Sequence, residues 1–297
     1  MKRKRIIVIA GAVVAFLLAL LLTLYPVISN FVNQKYASQI HTDYQEAMEQ
    51  SENTALEEAR KQAILYNEAL VPGTSSESAY TQEALQAASA DYENLLNVTE
   101  DGIMGYIEIP EINVLLPVFH GTQTETLERG IGHLLGSSLP VGGIDTHAIL
   151  SGHSGMASQA MFTDLEQLEN GDVFYLQVLG EVLAYQVCAI NVVLPTDTSL
   201  LGISPGKDLC TLVTCTPYAT NTHRLLVTGE RIPYVDAEKI EQEISVETGS
   251  TSTWIEKYLS GLLIGLLIAM GGVSIVITVC LIQKRVKTKV RSDRHGK

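Results

Sequence analysis

The sequence predicts a mainly β protein: a closed or nearly closed barrel with short helices, preceded by a helical extension and flanked by two transmembrane helices. Short apolar segments separated by turn residues fill residues 102–234, a pattern typical of small barrels. Apolar residues recur at three- and four-residue steps across residues 32–70, which indicates helix. Two uncharged apolar runs, at residues 6–24 and 259–282, are each close to the ~20 residues that a helix needs to cross a bilayer.

The basic residues predict which parts of the chain face the cell interior. The formal net charge is −13, yet four bases lie in the first five residues and seven in the last fourteen. Because cytoplasmic flanks carry an excess of Lys and Arg, we expect a cell-membrane protein with both termini cytoplasmic and residues 28–256 outside. Between its basic ends the chain has only 9 bases against 32 acids, which argues against a nucleic-acid partner.

The domain boundaries follow from these patterns. A cleaved signal peptide is the alternative to a first anchor, but the apolar run is long for one and residues 25–30 offer no small-x-small cleavage site. Pro72 and Gly73 interrupt the helical extension, and a second short helix is expected at residues 82–96. We predict a cytoplasmic tail at 1–5, a transmembrane helix at 6–27, a helical extension at 28–101, a barrel at 102–234, a linker at 235–257, a second transmembrane helix at 258–283 and a basic cytoplasmic tail at 284–297.

Alternation and turn residues also predict the individual barrel elements. Each expected strand is a short apolar run bounded by Gly, Pro, Asn or Asp. Strands are predicted at residues 104–109, 112–119, 148–150, 173–178, 182–194, 209–214 and 225–228, with short helical segments near 124–129 and 160–168.

Four cysteines are candidates for chemistry or for the core. Cys280 lies in the second apolar run, while Cys188 and Cys210 lie in strand-like runs, where they could pair; we favour burial in the core for both. Cys215 differs, because the apolar run that contains it gives way to turn residues immediately afterwards. No CxxC spacing or His/Cys cluster indicates zinc, so we expect no metal and no cofactor.

The position of Cys215 at the end of a strand suits a thiol nucleophile, which needs a fixed backbone and an accessible side chain. A buried core thiol is the alternative reading. Arg224 follows nine residues later at the start of the next strand. A tight hairpin would bring the two together, where a cation would favour the thiolate and stabilise an oxyanion. The alternative for Arg224 is a surface salt bridge.

A general acid or base must come from among the histidines. His153 stands first, because it follows a strand and lies between Gly152 and a second glycine two residues on, and glycines allow a peptide to approach the backbone closely. The other candidates are His41, His120, His133, His147 and His223.

These residues together resemble the sortase family. Residues 211–215, Thr-Leu-Val-Thr-Cys, with Arg224 in the next strand, are similar to the TLxTC…R signature, and Gly152-His153 is similar to the family's histidine motif. The first strands, 105–110 and 116–118, match as well, so the resemblance covers about residues 102–234. It implies a barrel of about eight strands, with Cys215 as nucleophile, His153 as general acid/base and Arg224 as the stabiliser of the substrate carbonyl and oxyanion.

The resemblance also implies a reaction and its partners. Sortases cleave the Thr–Gly bond of an LPxTG-like sorting signal through a thioester and pass the acyl group to an amine. The helical extension and the second apolar run resemble class C, in which the acceptor is a pilin lysine. Many class C members have a lid with an Asp-Pro-aromatic motif; this chain has no Asp-Pro, and Tyr80 is the candidate lid residue within residues 71–81. Many also have Arg after the histidine, where this chain has Ser154.

Three alternatives accompany this expectation. The chain could be a housekeeping-type sortase that anchors surface proteins to the cell wall, or a non-catalytic pilus-associated binding protein. It could also be a sortase substrate, since Thr248-Gly249 precedes an apolar run and a basic tail. Ser245 and Val246 stand where such a signal needs Leu-Pro, so we regard the last match as chance.

Overall fold

The computed structural model describes residues 2–70, 92–156, 159–237, 258 and 260–265. The chain divides into two compact units, Met1–Ser252 and Thr253–Lys297. In the second unit, the described residues 260–265 are helical. The predicted lid with Tyr80, most of the linker at 235–257 and most of the second transmembrane helix at 258–283 lie outside the described residues.

The described part of the first unit contains eight strands, the helices α1, α2 and α3, and a helical turn at residues 234–237. Helix α1 precedes α2, and the short α3 lies between the second and third strands. Their bounds are α1 Lys2–Gln50, α2 Asn53–Ala69, β1 Ile103–Ile109, β2 Val114–His120, α3 Thr124–Leu127, β3 Ile131–His133, β4 Thr146–Ser151, β5 Val173–Val178, β6 Glu181–Val193, β7 Asp208–Thr216 and β8 His223–Ile232.

The strands close into a barrel in the order β1-β2-β3-β4-β7-β8-β6-β5. Neighbours are antiparallel except β2 with β3 and β4 with β7, which run parallel. The mainly β, eight-stranded closed barrel with short helices is therefore confirmed. Its order has one consequence for the site: β7 lies between β4 and β8, so the ends of these three strands meet.

The interior of the barrel is filled by the inward side chains of these strands. Phe174 on β5 stacks on Tyr185 of β6 with ring centroids 5.5 Å apart. Gly229 on β8 leaves room for that pair, since a Cβ there would approach the Phe174 ring to 2.5 Å. Both rings are fully buried. Close packing of this kind fixes the strands that carry the site.

The helical extension differs from its prediction in one respect. The expected helix across residues 32–70 is two helices, broken between Gln50 and Asn53, and α1 begins as early as Lys2. Tyr44 and Met48 of α1 are buried against Ile103 and Tyr106 of the barrel. Among the helices that the structure describes, none is both long and apolar enough to cross a membrane, so the expected pair of transmembrane helices is unconfirmed.

The barrel strands also differ from their prediction at two places. The segment Pro110–Ile112 is a 3-10 turn that ends at Asn113 with a left-handed φ of 51°, so β2 begins at Val114 rather than at residue 112. Strand β3 is absent from the prediction, because three residues are too few to show alternation.

The expectation that Cys188 and Cys210 are both buried is half wrong. Cys210 is fully buried, but Cys188 is exposed, and both are free thiols. Leu183, Tyr185 and Val187 of β6 face the core, so the alternation of the strand turns the next side chain, Cys188, outward. A β-bulge lies at the same place, where the register with β8 shifts between Val187 and Ala189.

A buried histidine links β3 to the turn that follows it. The Nε2–H of His133 donates to the carbonyl oxygen of Ser138 at 2.8 Å, and Nδ1 accepts from the Tyr92 hydroxyl at 2.8 Å. This arrangement satisfies the neutral imidazole on both sides. Burial lowers the pKa of His133 to about 4, because a charged ring would lose its hydration.

Acidification is expected to destabilise the barrel through His133. The unfolded chain takes up a proton here below pH 6.5, whereas the folded ring resists protonation down to about pH 4. Stability is therefore present above pH 6.5 and lost as the pH falls through this window, by about 3 kcal/mol in total. Chemical unfolding at a series of pH values measures it, with His133→Gln as the control that removes the titrating group. Equal pH slopes for the two proteins would contradict the assignment.

Candidate active site

The β7–β8 hairpin places Cys215 directly opposite Arg224. The two residues are partners in the antiparallel register, one pair before the turn. Pro217 follows β7 immediately and has no N–H to donate, so it ends the ladder, and its carbonyl accepts from the N–H groups of Thr220 and Asn221 to close the turn. Opposed side chains in such pairs have Cβ atoms about 5 Å apart, so the thiol and the guanidinium share one site.

The guanidinium of Arg224 has no carboxylate partner within the part of the chain that the structure describes. Its Nη1 donates to the carbonyl oxygens of His223 at 3.0 Å and Asn221 at 3.4 Å. The ion pairs among described residues involve Arg60, Lys61 and Lys207 instead. The surface salt bridge weighed as an alternative is therefore not seen among the described residues. Most of the guanidinium's N–H groups remain available for a substrate.

Parallel pairing of β4 with β7 brings His153 to the same end of the barrel as Cys215. Ser151 at the end of β4 pairs with Val213, two residues before the cysteine. The Gly152 N–H then donates to the Val213 carbonyl at 3.0 Å. Two residues beyond the Ser151–Val213 pair, the same register sets His153 alongside β7 near Cys215.

Two hydroxyl side chains complete the connection between the two segments. Thr214 donates to the Gly152 carbonyl at 2.8 Å, and Ser154 donates to the Cys215 carbonyl at 2.7 Å. These bonds flank His153 on both sides. No sequence pattern predicts these two hydrogen bonds, although Ser154 stands out as a departure from the class C pattern. In this chain, Ser154 holds the backbone of Cys215.

The glycines around His153 are required by packing and by backbone conformation. A Cβ on Gly152 would come within 2.6 Å of Ile131 and 2.7 Å of the Phe162 ring. Gly155 has a φ of +76°, and a Cβ added there would come within 3.0 Å of the exposed Tyr218 ring. Gly152 is thus required by the core, and Gly155 by its backbone conformation.

The remaining described histidines are all hydrogen-bonded. His147, for example, contacts the Gly202 carbonyl at 2.9 Å and the Thr211 hydroxyl at 2.7 Å. Among the described residues, His153 is the one histidine whose ring makes no hydrogen bond, so both nitrogens are free for proton transfer. The others contact Gln177 (His41), Leu95 and Gly102 (His120), Tyr92 and Ser138 (His133), and Thr222 (His223).

Comparison with known proteins shows which family the barrel belongs to. Residues 107–232 match the sortase domain family. A solved sortase C of Streptococcus pneumoniae is 40% identical, with 66% of this chain and 97% of that chain covered at a TM-score of 0.59. The chain belongs to the sortase family. It is thus a member of a family of cysteine transpeptidases.

Two further sortases define the extent of the similarity. Sortase C-1 of Actinomyces oris is 46% identical, with 60% of this chain and 99% of that chain covered at a TM-score of 0.54. Sortase D of Bacillus subtilis is 30% identical over 131 residues, which make up 43% of this chain and 63% of that sortase. The chain therefore spans less than two thirds of this curated relative, whereas it spans nearly all of the two solved sortase C structures.

The described part of the chain contains no group of His, Cys, Asp and Glu that could hold a metal ion. Of the expected site residues, Cys215, His153 and Arg224 lie at the same end of the barrel, whereas Tyr80 lies outside the described residues.

Alkylation of the native protein is expected to separate the described cysteines. Iodoacetamide should modify the half-buried Cys215 and the exposed Cys188 but spare Cys210 until the protein is denatured. Cys210 is fully enclosed, and burial raises the pKa of its thiol well above the usual value. Peptide mass spectrometry measures the order, and Cys188→Ala is the control that leaves Cys215 as the fast site. Labelling of Cys210 as fast as Cys215 would contradict the structure.

Proposed function

We propose that the protein is a membrane-anchored extracellular cysteine transpeptidase that joins an LPxTG-like sorting signal to an amine, in particular a pilin lysine. The observation that carries this proposal is the meeting of three functional groups at one end of the barrel. Cys215 and Arg224 are register partners, and the segment with His153 is hydrogen-bonded to the Cys215 backbone. A thiol, a free imidazole and a free guanidinium in this arrangement suit acyl transfer.

The first half of the reaction forms a thioester. The Cys215 thiol gives its proton to His153, and Sγ attacks the carbonyl carbon of the substrate threonine. The oxyanion that develops is stabilised by N–H donors of Arg224, which no carboxylate of the described residues neutralises. The C–N bond then breaks, and His153 returns the proton to the leaving glycine amine.

The second half transfers the acyl group to an amine. The incoming amine gives a proton to His153 and attacks the thioester carbonyl, and Arg224 again stabilises the oxyanion. Cys215 leaves as a thiolate and regains the proton from His153, so the enzyme returns to its starting state. With a lysine side chain as the acceptor, the product is an isopeptide bond.

The choice of a pilin lysine rests on the similarity to class C sortases. The sortase C of Streptococcus pneumoniae has pilin substrate specificity, and it shares 40% of aligned residues with this chain. The membrane location rests on the two apolar runs with basic flanks, at residues 6–24 and 259–282. The extracellular placement of the barrel follows from the same flanks.

Incubation of the full-length protein with an LPxTG-type peptide is expected to give an acyl adduct on Cys215. Adding a lysine-bearing peptide should release the adduct as an isopeptide-linked product, and Cys215→Ala should abolish both. Intact-protein mass spectrometry measures the adduct, with Cys188→Ala as the matched control that retains it. An unreleased adduct with lysine, but release with a glycine-type amine, would instead support the cell-wall alternative. Absence of any adduct on the wild-type thiol would refute the proposal.

Removal of the guanidinium is expected to slow the reaction without unfolding the barrel. Arg224→Ala should lower kcat/KM by about 10²–10³-fold, the usual loss for one oxyanion donor. Arg224→Lys should recover only part of it, because an ammonium lacks the planar set of five donors. Steady-state kinetics measures both, and Arg129→Ala, which removes an exposed cation stacked on Phe119, is the control. Similar losses for Arg224→Ala and the control would contradict the role.

A further inference from the structure

Helix α1 contacts the segment that follows His153 through one buried side chain. The Oδ1 of Asn30 accepts a hydrogen bond from the Ala160 N–H at 2.9 Å. Asn30 is only 4% exposed, although it lies on a long helix outside the barrel. Asn is a poor residue for a helix interior, because its amide competes with the backbone for hydrogen bonds. A buried Asn that accepts from another element therefore indicates a specific requirement.

The segment that Asn30 holds returns directly to His153. Two residues after Ala160, the Phe162 N–H donates to the His153 carbonyl at 3.0 Å. The Phe162 ring is fully buried against Gly152, where it leaves no room for a Cβ. Phe162 thus fixes the residue before His153 by packing and His153 itself by a hydrogen bond.

The residue between Ala160 and Phe162 is in a strained conformation. Met161 has a φ of 46°, which lies in the left-handed region that favours glycine. Its side chain is buried. Such strain persists only where neighbouring contacts determine the backbone. Here those contacts are the Asn30 bond on one side and the Phe162 bond on the other. Without Asn30, the backbone at Met161 is free to relax and to carry Phe162 away from His153.

We propose that Asn30 is a positioning residue for His153, acting through Ala160, Met161 and Phe162. The inference rests on the proposed function, in which His153 transfers the proton. It gives helix α1 a part in catalysis, although α1 contributes no group to the reacting atoms. It also names the chemical requirement, which is an uncharged or anionic oxygen acceptor at position 30.

Three variants of the full-length protein separate positioning from packing. Asn30→Ala removes the acceptor, Asn30→Asp keeps an oxygen in the same place, and Gln39→Ala is the control on an exposed part of α1, where its amide contacts Asp43. Each is measured for kcat, for KM with an LPxTG-type peptide, for Tm and for amide hydrogen exchange at Ala160 and Phe162.

Asn30→Ala is expected to lower kcat at least tenfold, to change KM less than twofold and to speed exchange at both amides. Asn30→Asp should restore most of kcat and the slow exchange, and Gln39→Ala should match the wild type in every measurement. If Asn30→Ala does not fold, Ala160→Pro removes the same hydrogen bond from the other side and should show the same loss.

Three results would overturn the inference. They are an unchanged kcat for Asn30→Ala, a loss for Asn30→Asp as large as that for Asn30→Ala, and a kcat that returns to the wild-type value when the assay temperature is lowered in step with Tm. The last result would indicate a general effect on stability. If the proposed function itself is wrong, the wild type will show no turnover that depends on Cys215. That measurement comes first, so the two failures are told apart.

Discussion

The parallel pairing of β4 with β7 is the constraint on which the site depends. Six residue pairs join the two strands, and the ladder continues beyond them through Gly152 and Val213. Because these strands run in the same direction, the segment after one and the last residues of the other emerge side by side. Cys215 and the segment with His153 therefore need no flexible loop to come together. The hydroxyls of Thr214 and Ser154 then hold the two segments together beyond the last ladder pair, by hydrogen bonds to backbone carbonyls.

Buried polar groups inside the barrel also stabilise the position of β7 beside β4. His147 of β4 contacts the hydroxyl of Thr211, which lies four residues before Cys215 in β7, at 2.7 Å. Burial lowers the pKa of this imidazole. Asp208 at the start of β7 accepts from Tyr185 across the barrel. A buried polar group that loses its partner costs about 1–3 kcal/mol, so a slip of β7 by one residue would forfeit several such bonds at once. These buried hydrogen bonds therefore stabilise the register that aligns Cys215.

The sequence predicts the candidate reactive residues better than it predicts the contacts that hold them in place. The strand that ends at Cys215 is recognisable because an apolar run gives way to Pro217, and Arg224 is recognisable because cations are rare in the acidic middle of the chain. By contrast, the Asn30–Ala160 bond joins residues that are far apart along the chain, and no local pattern encodes it. The exposure of Cys188 depends on its place one residue after the inward-facing Val187, and an apolar run alone does not tell which face of the strand is buried.

The sequence interval between β4 and β7 governs when the thiol acquires its partners during folding. Strands β5 and β6 intervene, so His153 is made long before Cys215, and the two meet only when a distant pair of parallel strands closes. Contacts between distant parallel strands are among the slowest to form, because the chain entropy of a large loop opposes them. Until these strands pair, a newly made chain holds Cys215 apart from His153. The arrangement proposed for acyl transfer therefore forms only when the barrel closes.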